Sequence, residues 1–208
     1  MSDEMIQRTE AWFAARCGRV TASRVADAVA RTQKGWGAAR STYMIELIGE
    51  RLTGQIASHY VTPAMQWGSD NEPFAREAYE MQTGELVSSA GFILHPAIAD
   101  SGASPDGYVN EGLIEIKCPT TPTHITFLLE RVVPPNHMIQ MQWQMACTGR
   151  PWCDYASFDP RLPEHLRLSI GRIPRDDDMI EKLEADVRGF LTELVAKVDS
   201  LAKREKAA

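Results

Sequence analysis

Apolar residues recur at helical spacing through the first part of the chain, at strand spacing through its middle, and at helical spacing again at its end. The stretch through Trp12, Phe13 and Arg16 has helical character. Thr21-Ala22-Ser23 then reads as a turn into a second helix, with Thr21 or Ser23 placed to cap it. Gln33-Lys34-Gly35-Trp36-Gly37 reads as a flexible basic loop. A helix follows from Ser41 to about Leu52, with Met44, Leu47 and Ile48 on one face and Gly54 just past its end. The next is predicted over about Ser69–Gln82, with Phe74, Ala78 and Met81 as its apolar stripe and Gly84 as its stop.

The period then changes. Strands are predicted at Glu85–Leu94, about Gly102–Val109 and Gly112–Cys118, with Asn110-Glu111-Gly112 as a short turn. Helices follow at about Thr123–Glu130 and Asn136–Thr148, and strands at Tyr155–Phe158 and Leu166–Ile173. From Asp176 to about residue 205 the pattern is one long amphipathic helix. Ile180, Leu183, Val187, Phe190, Leu191, Leu194 and Val198 repeat along one face of it. That face packs on a core, and a subunit contact is a further use for it. The order predicts an α/β protein in a single domain over 1–208.

Composition sharpens this picture a little. A chain of 208 residues that is 44% hydrophobic supports one sizeable core. It has no signal-like apolar region and no long apolar run, which predicts a cytoplasmic protein without a membrane span. Cys17, Cys118, Cys147 and Cys153 form no C-x-x-C pair and are expected as free thiols. Net charge is -6, which weighs against a nucleic-acid partner until its distribution is considered. Residues 1–60 carry eight Lys/Arg against six Asp/Glu, net +2, so the remainder carries -8. Phosphate contact needs only a local basic surface.

The candidate chemistry lies in Ser104-Pro105-Asp106-Gly107 and Glu115-Ile116-Lys117, a P-D-x8-E-x-K pattern. Side chains alternate along a strand, so Leu113, Glu115 and Lys117 share one face while Ile114, Ile116 and Cys118 share the other, which is read as core. A turn brings Asp106 against Glu115. Charged groups are costly to bury unless paired or metal-bound. Two carboxylates and an ammonium make a hard-oxygen site suited to Mg²⁺ or Mn²⁺, and no His/Cys cluster suggests zinc. The alternative is that Glu115 and Lys117 form a solvated ion pair beside an ordinary turn.

These motifs do not stand alone. Arg16 with Val20-Thr21-Ala22-Ser23, Trp67-Gly68 with Glu72, Glu115-Ile116-Lys117-Cys118-Pro119, Gln140-Met141-Gln142 and Phe158-Asp159-Pro160-Arg161 occur in order at compatible spacing. Together they resemble the lambda-exonuclease-like (YqaJ) branch of the PD-(D/E)xK nucleases of phage recombination, from about Trp12 to about Arg161. The resemblance implies a restriction-endonuclease-like core, a central mixed β-sheet flanked by helices. It implies two Mg²⁺ ions, replaceable by Mn²⁺, held by Asp106, Glu115 and the Ile116 carbonyl, with Glu72 supporting the second directly or through water. Lys117 would activate or orient the attacking water. Gln140 would contact water or phosphate, with Gln142 and Gln144 nearby.

The same resemblance matches Arg16, Ser23 and Ser104 to positions that bind a terminal 5′-phosphate. It implies a 5′→3′ exonuclease on double-stranded DNA ends, releasing mononucleotides and leaving a 3′ single strand. Further implications are a toroidal homotrimer, a single-strand annealing protein as partner, and a phage or prophage origin in a bacterial cell. Lys34, Trp36 and Arg40 are expected as contacts to the duplex or displaced strand, and Met65 as a wedge between bases. Competing readings are another PD-(D/E)xK nuclease, either an endonuclease or a Cas4- or RecB-like enzyme of the kind that often holds an iron–sulfur cluster, for which these four cysteines are poorly arranged, and a DNA-end-binding module without catalysis.

Overall fold

The computed structural model describes residues 7–56 and 61–204. Helix α1 (Glu10–Arg16) is capped by Thr9, whose hydroxyl accepts from the Trp12 N–H. Strand β1 (Val20–Thr21) leads through a 3₁₀ turn over Ala22–Arg24 into the short helix α2 (Val25–Ala28). Neither Thr21 nor Ser23 caps that helix, because Thr21 is held in the strand. The basic loop is a small hairpin of β2 (Arg31–Thr32) and β3 (Gly35–Trp36).

Helix α3 (Ala38–Thr53) and helix α4 (Pro63–Thr83) both end on left-handed glycines, Gly54 and Gly84. Those two stops are where the sequence placed them. The start of α4 is not. Thr62 caps it by accepting from the Met65 N–H, and Pro63 sits at its first position, where a missing N–H costs nothing. Gly68, a usual breaker, lies inside this helix, so the sequence pattern begins only after it. Its buried stripe is Asn71, Ala75 and Tyr79, while Phe74 and Met81 face solvent.

Strands β4 (Ile93–His95) and β5 (Ile98–Ala103) pair antiparallel, and β1 lies parallel on the other side of β5. The second sheet is β6 (Gly107–Val109), β7 (Gly112–Lys117), β8 (Trp152–Phe158) and β9 (Leu168–Pro174), in that order. Of the expected strand Glu85–Leu94 only the end is regular; Ser88 makes a single bridge to Tyr108. The expected strand Gly102–Val109 is interrupted at Ser104-Pro105-Asp106, where the chain passes from one mixed sheet to the other.

β7 and β8 are parallel, so a crossover must join them. It consists of α5 (Thr121–Glu130) and α6 (Pro135–Thr148). Helix α4 covers one face of the four-stranded sheet through Ala75 and Tyr79 against Ile114, Ile116, Ala156 and Phe158. The crossover covers the other, with Phe127, Met141 and Met145 against Leu113, Cys153 and Tyr155. β7 is therefore buried on both faces, not on one. The long helix α7 (Asp177–Arg204) packs Ile180, Leu183, Val187, Phe190, Leu191 and Leu194 inward, as its spacing predicts. Each such side chain contributes about 1.5–3 kcal/mol by leaving water. Residue 205, expected in this helix, lies outside the described residues.

Arg40, expected as a DNA contact, belongs to this packing. Only 6% of it is exposed, and it pairs with Glu193 of α7 at 2.8 Å. The Trp36 ring lies between the guanidinium groups of Arg31 and Arg40, at 3.9 and 4.2 Å. Arg31 is in turn bonded to Asp186 of α7. The hairpin is thus fastened to α7, and Lys34 stands exposed at its turn.

Gly107 follows the break between the sheets. A Cβ there would lie 2.3 Å from Val87 Cγ1 and 2.9 Å from the Ser88 carbonyl oxygen. Gly107→Ala is therefore expected to cost about 1–3 kcal/mol in denaturant unfolding. The first turn of α6 makes a pH-dependent contact. His137 Nδ1 lies 3.1 Å from the Tyr155 hydroxyl, the rings stack, and burial, reinforced by the Lys117 charge, lowers the His137 pKa to about 4. The unfolded chain therefore takes up this proton first. His137 stabilises fully above about pH 6.5, and its contribution is lost as pH falls toward 4. His137→Gln is expected to change the stability difference from wild type by on the order of 3 kcal/mol between these pH values, read by urea unfolding.

Candidate active site

β7 and α6 bring the predicted residues together. Glu115 is 1% exposed, and both its oxygens are held. Gln140 Nε2 donates to Oε1 at 2.7 Å and Gln144 Nε2 to Oε2 at 2.6 Å. Lys117 Nζ, two residues along the same strand face, pairs with Oε1. The two glutamines are four residues apart on α6, one helical turn, and so address one carboxylate from one helix face. Sequence reasoning chose Gln140 and left Gln144 as a neighbour; the spacing of four held the signal that both belong.

Asp106 sits in the connection before β6. Its Oδ2 accepts from the Ile116 N–H at 2.6 Å. Its carbonyl oxygen accepts from Arg76 Nη2 at 2.6 Å, which ties the turn to α4. Burial and then the nearby charge of Glu115 push the Asp106 carboxyl well above the usual carboxylate range, with Glu72 adding to the effect and Lys117 opposing it. Burial works against the Lys117 ammonium, but Glu115 and Asp106 outweigh it and raise its pKa. The solvated-ion-pair reading of Glu115 and Lys117 does not survive this enclosure. Glu72 on α4 is partly exposed and pairs with Arg8 at 2.9 Å. That partner lies ahead of every matched motif, so no pattern pointed to it.

These residues offer hard oxygen donors. Among the described residues, no group of three or more His, Cys, Asp and Glu gathers tightly enough to hold a metal ion unaided. A set of Asp106, Glu115 and the Ile116 carbonyl, with Glu72 reaching through water, asks for less than that. The unfavourable charge on Asp106 is the kind a divalent cation relieves, so the donor set fits Mg²⁺. Cys17, Cys118, Cys147 and Cys153 are free thiols, as expected. The last two are buried, Cys147 on α6 and Cys153 on β8, where Cys153 pairs with Leu113 on the face that carries Glu115.

Two of the three residues expected at a terminal phosphate, Arg16 and Ser104, meet at the same turn. Arg16 Nη1 lies 3.4 Å from Ser104 Oγ, and Trp12 Nε1 donates to that oxygen at 2.9 Å. The Arg16 guanidinium lies over the Trp12 ring at 4.0 Å, so Trp12 orients it; sequence reasoning used Trp12 only as part of a helix and as the start of the resemblance. A cavity of about 440 Å³ opens beside them, lined by Arg16, Ser23, Arg24, Tyr43 and Met65 among others. Arg24 in that wall is already paired with Glu46 and Asp27. Met65 is 53% exposed at the start of α4. The cavity therefore joins Arg16, Ser23 and Met65, with Ser104 tied to it through Arg16, while Lys34 and Trp36 lie on the hairpin and Arg40 on α3, paired with α7.

Similarity to known proteins follows the same outline. An alkaline exonuclease from Laribacter hongkongensis (LHK-Exo) is 51% identical, with a TM-score of 0.89, over 96% of this chain and 100% of that one. A second structure of that enzyme, in complex with dAMP, matches at 50% identity with the same TM-score and coverage. A phage-related exonuclease from Haemophilus somnus 129PT shares the fold at 15% identity, with a TM-score of 0.74 over 88% of this chain and 96% of that one. Among curated proteins no significant match is found. No described helix is long and apolar enough to cross a membrane. The fold is that of the PD-(D/E)xK-type nucleases, and residues 11–151 match the YqaJ-like viral recombinase domain, the family to which this chain belongs.

Proposed function

We propose that this protein is a Mg²⁺-dependent exonuclease that digests double-stranded DNA from 5′ ends, releases mononucleotides and leaves a 3′ single strand. One observation carries the reading. The buried carboxylate–ammonium cluster and Arg16, which lines the cavity, meet at a single tripeptide, Ser104-Pro105-Asp106. A terminal phosphate held at Ser104 would place the next phosphodiester of the same strand near Asp106. Family membership and the 51% identical alkaline exonuclease support nuclease chemistry. The dAMP bound by that relative accords with a mononucleotide product.

Each residue has a part in this reading. Asp106, Glu115 and the Ile116 carbonyl would hold Mg²⁺, with Glu72 supporting a second ion. Bound there, the metal supplies an activated water and Lewis-acid stabilisation of the phosphate charge. Gln140 and Gln144 fix the orientation of Glu115 by holding both its oxygens. The Lys117 ammonium, kept charged by its carboxylate neighbours, faces the place where negative charge grows and stabilises it. Arg16 presents a planar fork of donors to a terminal phosphate, with Ser23 and Ser104 adding hydroxyls. Met65, exposed at the cavity wall, is placed to separate the first base pair. A trimeric ring around the duplex and an annealing protein that receives the 3′ strand complete the reading, on the strength of the family alone.

Digestion of linear duplex labelled separately at each end, with and without Mg²⁺, tests the reading. The 5′ label is expected to leave first, as mononucleotide, and only with the metal. Prior release of the 3′ label, or equal activity in EDTA, would sink it. Asp106→Ala is expected to lower the rate at least about a hundredfold. Arg16→Ala is expected to reduce the advantage of 5′-phosphate over 5′-hydroxyl ends by about tenfold or more, the size of a charge-assisted hydrogen bond. Equal loss on both ends would remove Arg16 from the phosphate pocket.

A further inference from the structure

We propose that Arg8 is a substrate-contact residue that holds a DNA phosphate over the acidic cluster. The inference rests on the exonuclease reading above and concerns a residue outside every motif that supports it. Arg8 Nη2 lies 2.9 Å from Glu72 Oε2, with 58% of the arginine side chain and 31% of the glutamate side chain exposed. An exposed pair of this kind contributes little and exchanges readily. A phosphate entering a site with three carboxylates, Glu72, Asp106 and Glu115, gains from a further cation at the edge of the site, beside Lys117 and any bound metal. The Arg8 guanidinium is the cation already standing at the exposed side of that cluster. Its planar fork matches two phosphate oxygens.

The backbone argues the same way. Arg8 has φ +68°, in the left-handed region that a residue with a Cβ rarely adopts. Such a conformation persists where the surroundings impose it. Both neighbours of Arg8 are tied down. Gln7 Nε2 donates to the Pro105 carbonyl oxygen at 2.7 Å and to that of Ala90 at 2.9 Å. Thr9 caps α1. Gln7 thus fastens the strained turn to the tripeptide that carries Ser104 and Asp106. Ten residues, 7–16, then deliver two guanidinium groups to one strand of DNA: Arg16 to the end phosphate, and Arg8 to the phosphate beside the acidic residues. Glu72 holds the Arg8 fork in place until a phosphate takes it over.

Binding of a short 5′-phosphorylated duplex in EDTA, followed by fluorescence anisotropy over a range of salt, tests this without hydrolysis. Arg8→Gly suits the left-handed backbone, so its melting temperature is expected to stay at or above that of wild type. Its Kd is expected to rise about tenfold. Its plot of log affinity against log salt is expected to be shallower by about 0.9, one phosphate contact. Arg8→Lys is expected to keep the salt slope and bind with intermediate affinity, because it keeps the charge and loses the fork. An Arg8→Gly Kd within about twofold of wild type with an unchanged slope overturns the inference, provided wild type digests duplex DNA with Mg²⁺. A lower melting temperature with unchanged affinity makes Arg8 a structural strap and overturns it as well. A wild-type protein that neither binds nor digests duplex fails the exonuclease reading itself, and this inference falls with it.

Discussion

Much of the structure is arranged to make one buried carboxylate tolerable. Glu115 lies in a strand covered on both faces, where an ionised side chain without partners would be costly. Its oxygens are held by Gln140 and Gln144 from α6 and by Lys117 from its own strand. These bonds fix which face of α6 points at the sheet. The rest of that helix is constrained accordingly. Met141 and Met145 fill the layer over Leu113 and Tyr155, while Trp143 enters the second core beside Val20 and Phe190. One helix thus serves two of the three hydrophobic clusters and the polar site. The crossover between β7 and β8 that contains α6 is part of the site as much as of the fold.

The second constraint is the break between the sheets. Ser104-Pro105-Asp106 belongs to no regular strand, so its polar groups need partners from elsewhere. Asp106 accepts from Ile116, its carbonyl oxygen accepts from Arg76, the Pro105 carbonyl oxygen accepts from Gln7, and Ser104 takes Trp12 and Arg16. Three separate segments, residues 7–16, α4 and β7, therefore close on three residues. A turn pinned from so many sides can hold a carboxyl whose charge its neighbours oppose.

What the sequence made legible follows from where each signal is local. The stripe of α7, the glycine stops of α3 and α4 and the alternation in β7 depend on near neighbours in the chain, and all appear as predicted. The acidic cluster was legible too, because Asp106, Glu115 and Lys117 lie within twelve residues. The failures are tertiary. Glu85–Leu94 has a strand's composition but finds only one bridging partner along most of its length. The cover over the Glu115 face of β7 was not legible because α6, which supplies it, starts only at Pro135. Arg40 looked like a surface cation because Glu193 and Phe190, which bury it, lie on the last helix.

Arg8 and Gln144 show a different limit. Neither is remarkable in type or local context, and each matters only through what it faces. Gln144 is distinguished from Gln142 by two positions on a helix: Gln144 reaches Glu115, while Gln142 holds the Pro174 carbonyl oxygen and the Asp176 N–H at the start of α7. The motif Gln140-Met141-Gln142 contains the wrong second glutamine and leaves Gln144 outside it. The helical period picks the right one, once the buried carboxylate is placed, because only residues one turn from Gln140 share its face. Sequence pattern identifies the charged group that must be buried; the geometry of the element packed over it then decides which polar neighbours are bound to it and which are free for other work.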